Sequence, residues 1–283
     1  MQDKLISKKT SLNFRGNLED INRPQIMGIL NATPDSFYDG GKHNSLSAAI
    51  ENVKKMLESG ADIIDLGAYS SRPGANHISE QEEIDRMLPV LTEILKQFPQ
   101  TKISVDTFRS KVAETAIEAG ALMINDISAG NMDPDIWSVA AKYKVPYVAM
   151  HMQGTPQTMQ KDISYNDVLD DIILELSKKI NLMTQAGIYD IIIDPGFGFG
   201  KTLDQNYHIL KHLKDFEFLG HPLLVGVSRK SMIYKLFDST PQEALNGTTA
   251  IHMWALNNGA SFLRVHDIKE ARETITIWEK LKN

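Results

Sequence analysis

Residues 190–202 read DIIIDPGFGFGKT, an apolar, β-branched run that ends in a carboxylate, Asp194, and passes into alternating glycines. The closing Gly-Lys-Thr echoes a phosphate loop, but the G-x-x-x-x-G-K-[ST] spacing puts Pro195 where the first glycine belongs. Gly196, Gly198 and Gly200 are spaced G-x-G-x-G, so the dinucleotide pattern fails as well. The chemistry must therefore lie in Asp194 and its companions. Polar groups recur at the ends of other apolar runs: Asn31, Asp106, Asn125, Ser228 to Lys230, Arg264 and His266. They sort into two sets. Asp106, Asn125, Asp194 and Lys230 suit the edge of a flat, nitrogen-rich heterocycle, because carboxylates accept from ring N–H groups, Asn does both, and Lys donates. Asn31, Ser71, Arg72, Arg264 and His266 suit phosphate oxygens. Arg264 and His266 also precede DIKEARETITIWEKLK, a helix whose N-terminus adds unpaired N–H groups and a positive dipole end.

Positioning these groups on one surface requires a particular frame. Apolar runs at 25–30, 61–67, 102–107, 121–128, 146–152, 190–196, 222–228 and 261–267 alternate with stretches of helical spacing. Gly60, Gly120, Gly187 and Gly259 fall where a helix stop is expected before the next strand. Continuous apolar strands between amphipathic helices predict a parallel sheet covered by helices. The repeat count predicts a single (β/α)8 TIM barrel, with its active face at the C-terminal strand ends. Residues 25–283 form the barrel in this reading. Residues 1–24 precede it, and SLNFRGNLEDI predicts a short hairpin closing the barrel bottom.

The bulk properties narrow the function. The chain has 283 residues, a formal charge of −6 and no cysteine. There is no basic field for nucleic acid, and thiolate catalysis and cysteine-bound metals are excluded. No apolar run reaches membrane-span length, and MQDKLISKKTSLNFRG lacks the apolar core of a signal peptide. A cytoplasmic protein acting on small molecules is expected.

NATPDSF, SSRPGA, SVDTFR, INDIS, MHMQGTP, DPGFGFGK, GVSRK and RVHD occur in this order across residues 25–270. In this the chain resembles the dihydropteroate synthase family. The resemblance implies condensation of 6-hydroxymethyl-7,8-dihydropterin diphosphate with 4-aminobenzoate to 7,8-dihydropteroate and diphosphate. It implies Asp106, Asp194 and Lys230 as catalytic residues, and Asp106, Asn125, Met150, Asp194 and Lys230 around the pterin. Asn31, Ser71, Arg72, Arg264 and His266 would take the diphosphate, with Mg²⁺ bound through Asn31. Phe37, Ser71, Pro73, Phe199 and Lys230 would surround 4-aminobenzoate, where sulfonamides would compete. A homodimer is implied, with the helices at 244–257 and 270–280 as contact surfaces. One departure stands out: Ala68-Tyr69-Ser70-Ser71 replaces the family's usual Gly-Glu-Ser-Thr, leaving the packing of the second loop open.

Several residues carry plainer expectations. Asp194 before Pro-Gly can cap a turn. Lys201 is expected to be a solvated loop lysine, His151 a packed and hydrogen-bonded histidine, and Met152 a core residue. Arg109 and Lys111 are expected to cap the next helix or stay in solvent. Strand alternation sends Arg229 and Lys230 to opposite sides, with Lys230 inward by resemblance. Rival functions on the same frame are methyl transfer from a reduced folate to a corrinoid protein, a Schiff-base aldolase using Lys230, and a non-catalytic binding barrel.

Overall fold

The computed structural model describes residues 9–32, 42–70, 77–160 and 163–282, with the backbone alone at 42–45. The chain begins with an antiparallel hairpin, β1 (Ser11–Phe14) and β2 (Asn17–Asp20). Its two-residue turn, Arg15 at φ 53° and Gly16 at φ 99°, is left-handed at both positions, as the twist of a tight hairpin demands. Eight parallel strands follow: β3 (Gln25–Asn31), β4 (Ile63–Gly67), β5 (Lys102–Asp106), β6 (Met123–Asp126), β7 (Tyr147–Met150), β8 (Ile191–Asp194), β9 (Leu223–Val225) and β10 (Ala260–Val265). They pair in chain order, and β10 closes the barrel against β3.

Helices α1 (Lys42–Glu58), α2 (Glu80–Gln97), α3 (Ser110–Glu118), α4 (Ile136–Tyr143), α5 (Val168–Gln185), α6 (Leu203–Lys211), α7 (Ser231–Tyr234), α8 (Leu245–Asn257) and α9 (Ile268–Lys282) occupy the connections and the C-terminus. Their starts follow local chemistry. Ser79 accepts from the Glu82 N–H at the head of α2, and Asp167 accepts from Leu169 and Asp170 at the head of α5. Thr202 and Gln205 form a reciprocal capping box on α6. Thus the threonine of the Gly-Lys-Thr sequence is a helix cap. All four glycines expected as helix stops have positive φ, between 93° and 114°.

Alternation along the strands divides the core. Ile64, Leu66, Ile103, Val105, Ile124, Tyr147, Ile191 and Ile193 face the helices in the main cluster. Their neighbours Met27, Ile63, Met123, Val148, Ile192, Leu224 and Phe262 fill the lower barrel. Leu12 and Phe14 of the hairpin join this inner cluster, buried to 0% and 4% exposure, and so close the bottom. The Lys9–Asp190 ion pair, 2.6 Å, fastens the approach to the hairpin to the start of β8. The hairpin thus plugs the lower end, opposite the face where the strands end.

Phe14→Ala should therefore cost about 3–5 kcal/mol of stability. Urea unfolding checks this. A loss below about 1 kcal/mol would mean the hairpin does not share the barrel core.

Candidate active site

Two residues beyond the apolar bottom layer, each strand delivers its next inward side chain. From Ile63, Met123, Val148, Ile192 and Phe262 this step reaches Asp65, Asn125, Met150, Asp194 and Arg264. Asp106 and Asn31 end β5 and β3, both paired with Gly67, one inward step past Asp65 on β4. A polar layer thus lies directly above an apolar plug, at the C-terminal rim where barrel chemistry is located.

The layer is organised around Arg264. Its Nε donates to Asp65 Oδ2 at 2.6 Å and its Nη2 to Asp106 Oδ2 at 2.5 Å. Asn125 Nδ2 donates to the same Asp65 oxygen at 2.9 Å. Asp65 is fully buried, and its Oδ1 has no hydrogen-bond partner among the described residues. Two glycines lie against the layer. A Cβ at Gly226 would make ordinary contact with Arg264 Cβ at 3.8 Å and Asp194 Oδ2 at 3.9 Å, and one at Gly67 with Asp106 Cβ at 3.4 Å.

Asp194 accepts from the Gly196 N–H at 2.7 Å. This is the turn contact anticipated from Asp-Pro-Gly, and it leaves the second oxygen for the barrel mouth. Lys230 follows β9 and donates to the Phe197 carbonyl, while its ammonium lies 4.7 Å from the Phe199 ring centroid. Arg229 turns away to Asp267, at 2.7 Å; it lies past the end of β9 in a left-handed turn, φ 55°, so the turn and not strand alternation separates it from Lys230.

Burial sets the protonation of this group. It pushes Asp106 up to about 7, against the pull of Arg264, with Asp65 adding to the rise. It raises Asp194, opposed chiefly by Lys230. It draws Lys230 down to about 8, with Asp194 resisting. Burial also disfavours the charge on Arg264, but Asp65 and Asp106 override it, and the guanidinium titrates above its ordinary value. Shifts of this kind in one cleft mark a functional site.

The structure brings Asp106, Asn125, Asp194, Lys230 and Met150 to one rim, with Phe199 beside Lys230. Arg264 joins the carboxylates directly instead of standing with a separate anion-binding set. His266 lies just past β10 on the exposed side, its Nδ1 3.1 Å from Ser228 Oγ. Asn31 ends β3. Phe37, Ser71, Arg72 and Pro73 lie outside the described residues.

Two expectations are corrected. Lys201 is not solvated: it is 4% exposed, and its ammonium is surrounded by carbonyls and His151. Arg109 does occupy the N-cap position of α3, but its side chain makes no capping bond and is not in solvent. It is buried, paired with Glu83 at 2.6 Å and bonded to the Ile78 carbonyl at 2.7 Å, because two acceptors from α2 and its approach converge there. His151 and Met152 are buried as anticipated. Asp126, next to Asn125, faces the helices and accepts from Ser128, Gly130 and Tyr147. The question over Tyr69 is also answered. Its ring meets Phe108 edge-on with centroids 5.1 Å apart. Its hydroxyl lies 3.2 Å from His77 Nδ1 and accepts from Gln157 at 2.9 Å. Sequence reading did not single out Asp65, although two-residue alternation from Ile63 points to it.

Comparison with known proteins gives a consistent result. A family model described as "Pterin binding enzyme" matches residues 27–266. The dihydropteroate synthase of Synechocystis sp. is 44% identical over 262 residues, covering 92% of this chain and 90% of that protein. The Xanthomonas albilineans dihydropteroate synthase solved with 4-aminobenzoic acid superposes with a TM-score of 0.89 at 38% identity, covering 96% of this chain and 98% of the other. The Yersinia pestis enzyme solved with a sulfonamide drug complex gives 0.89 at 44% identity, covering 96% and 99%.

Removing one partner of a buried ion pair leaves the other charge uncompensated. Arg109→Ala should cost about 3–5 kcal/mol by urea unfolding; a change below about 1 kcal/mol would show that Glu83 is satisfied without it.

Proposed function

This chain belongs to the pterin-binding enzyme family, and from that premise we infer that its barrel mouth is the active site of a dihydropteroate synthase. The enzyme is a transferase that joins 6-hydroxymethyl-7,8-dihydropterin diphosphate to 4-aminobenzoate, giving 7,8-dihydropteroate and diphosphate. The observation that carries the assignment of residues is the polar layer itself: Asp65, Asp106, Asn125, Asp194, Lys230 and Arg264 on one rim, over an apolar floor.

In this account Asp106, Asn125, Asp194 and Lys230 hold the nitrogen-rich edge of the pterin, and Met150 packs against its ring. The dihydropterin releases electron density toward its exocyclic methylene. The C–O bond then breaks, and its electron pair leaves with diphosphate. The lone pair of the 4-aminobenzoate nitrogen forms the new C–N bond, and that nitrogen loses a proton. Asp106 and Asp194 stabilise the delocalised cation between these events, at an advantage in a preorganised, water-poor site. Their raised pKa values reflect the cost of burying them as anions, a cost that positive charge on the ring would offset.

Asn31, Ser71, Arg72, Arg264 and His266 take the diphosphate. Arg264 couples the two halves, since two of its N–H groups are already committed to Asp65 and Asp106. Mg²⁺ suits this arrangement: Asn31 offers a hard amide oxygen at the rim, and Mg²⁺ is commonly held by few protein ligands together with phosphate oxygens and water. When bound it would neutralise charge on the leaving diphosphate. Phe37, Ser71, Pro73, Phe199 and Lys230 frame 4-aminobenzoate, and sulfonamides compete there.

The catalytic unit spans residues 25–283, with 1–24 as its basal extension. No helix among the described residues is long and apolar enough to cross a membrane. The substrates are small molecules, and the reading includes a homodimer working in the cytoplasm.

Incubating the protein with dihydropterin diphosphate and labelled 4-aminobenzoate should yield labelled dihydropteroate; no product would contradict the function. Lys230→Ala should lower kcat/KM by about 10²-fold or more and weaken dihydropterin diphosphate binding. Near-normal kinetics would contradict its role at the pterin.

A further inference from the structure

Lys201 is a buried ammonium that the reaction above does not use. It is 4% exposed. Its Nζ donates to the carbonyls of Gly196 and Phe199, each at 2.9 Å, and lies 3.3 Å from the carbonyl of His151. It also lies 3.1 Å from His151 Nδ1. When Lys201 is protonated it has no acceptor to offer, so Nδ1 is then the accepting nitrogen and the imidazole proton sits on Nε2. That nitrogen faces Glu175 Oε2 at 3.4 Å. A chain of contacts therefore runs from the loop after β8, through Lys201 and His151 at the end of β7, to α5.

The loop held in this way is the one that touches Lys230. Gly196, Gly198 and Gly200 have φ of 70°, 81° and 62°. Left-handed residues at alternate positions turn successive carbonyls to different sides of the loop. Gly196 and Phe199 present theirs to Lys201, whereas Phe197 presents its carbonyl to Lys230. The Phe199 ring lies beneath the Lys230 ammonium. The loop is also pressed onto the segment after β7. A Cβ at Gly196 would fall 2.0 Å from the His151 carbonyl, and one at Gly200 would fall 3.0 Å from Gln153. Without its ammonium, the Phe199 and His151 carbonyls would lose this donor, while the Gly196 carbonyl keeps the Phe199 N–H at 3.1 Å, and buried groups left unsatisfied drive rearrangement.

We propose that Lys201 is a positioning residue for the 4-aminobenzoate half of the site, holding the Gly196–Gly200 loop so that the Phe197 carbonyl and the Phe199 ring meet Lys230. The proposal rests on the condensation reading above. It also gives the Gly-Lys-Thr sequence its local meaning: the glycine completes the loop, the lysine anchors it from inside, and the threonine caps α6. Burial draws Lys201 down to about 7, with Asp194 opposing.

The test is steady-state kinetics with each substrate varied, beside calorimetric binding of dihydropterin diphosphate, on wild type, Lys201→Met and Lys201→Arg. Wild-type turnover establishes the reading independently of this proposal. Lys201→Met should raise KM for 4-aminobenzoate about tenfold or more, because the loop's buried carbonyls lose their donor. Its affinity for dihydropterin diphosphate should fall clearly less than that, since Lys230 serves the pterin with Asp106, Asn125 and Asp194 while the loop serves the amine side, and Lys201→Arg should recover part of the loss. An unchanged KM, or equal losses for both substrates, overturns the proposal. If Lys201→Met does not fold, Lys201→Gln, which keeps two donors, replaces it under the same outcomes. Failure of both to fold makes Lys201 a folding determinant and overturns the positioning role.

Discussion

A guanidinium held between two carboxylates organises the mouth of this barrel. Asp65 has no exposed surface, and an isolated ionised carboxylate there would be strongly disfavoured. Arg264 offsets that penalty, and its planar fork fixes Asp106 at the same time. Asn125 then finds its place by donating to the oxygen that Arg264 also uses. Three strands and the closing strand β10 are thereby tied by side chains as well as by the barrel ladder. The ion pair is not a stability device in the first instance, because buried pairs often gain little over apolar packing. Its value lies in orientation. Asp65 aims Arg264, and Arg264 sets the carboxylate that the proposed chemistry needs.

The same logic recurs around the rim with different groups. Glu83 and Arg109 form a buried pair beneath Tyr69, joined by Thr107, whose hydroxyl donates to Glu83 at 2.7 Å. Lys201 anchors the loop after β8 from within. The loop after β8 and the segment after β5 are each backed by a buried cation that contacts backbone carbonyls or a buried carboxylate. A loop alone would retain too much freedom to hold a ring or a phosphate within catalytic tolerance. The barrel supplies the strand ends, and these internal ties supply the precision.

Much of this arrangement was legible in the residues. The strand–helix rhythm gave the barrel, SLNFRGNLEDI gave the basal hairpin, and Asp106, Asn125 and Asp194 were visible because each ends an apolar run. Asp65 was not, since ADIIDLG buries its carboxylate in the middle of a strand, where polarity reads as noise unless the two-residue period is followed up from Ile63. Lys201 and Arg109 were missed for a different reason. A lysine after glycines and an arginine before a helix are usually solvated, and only the tertiary convergence of carbonyls or of Glu83 makes burial tolerable. Tyr69 shows the limit of family comparison. It departs from the pattern of the resemblance, yet its ring and hydroxyl find partners in Phe108, His77 and Gln157 that no linear motif announces.

Under the proposed function, Asp65, through Arg264 and Asn125, arranges the side of the mouth that holds the pterin. Calorimetric titration of dihydropterin diphosphate into wild type and Asp65→Asn, each verified as folded, tests it most directly. The account predicts binding weaker by about tenfold or more in the variant, equivalent to roughly 1.4 kcal/mol. An affinity equal to that of the wild type would show that the mouth is arranged without this carboxylate, and would contradict the account.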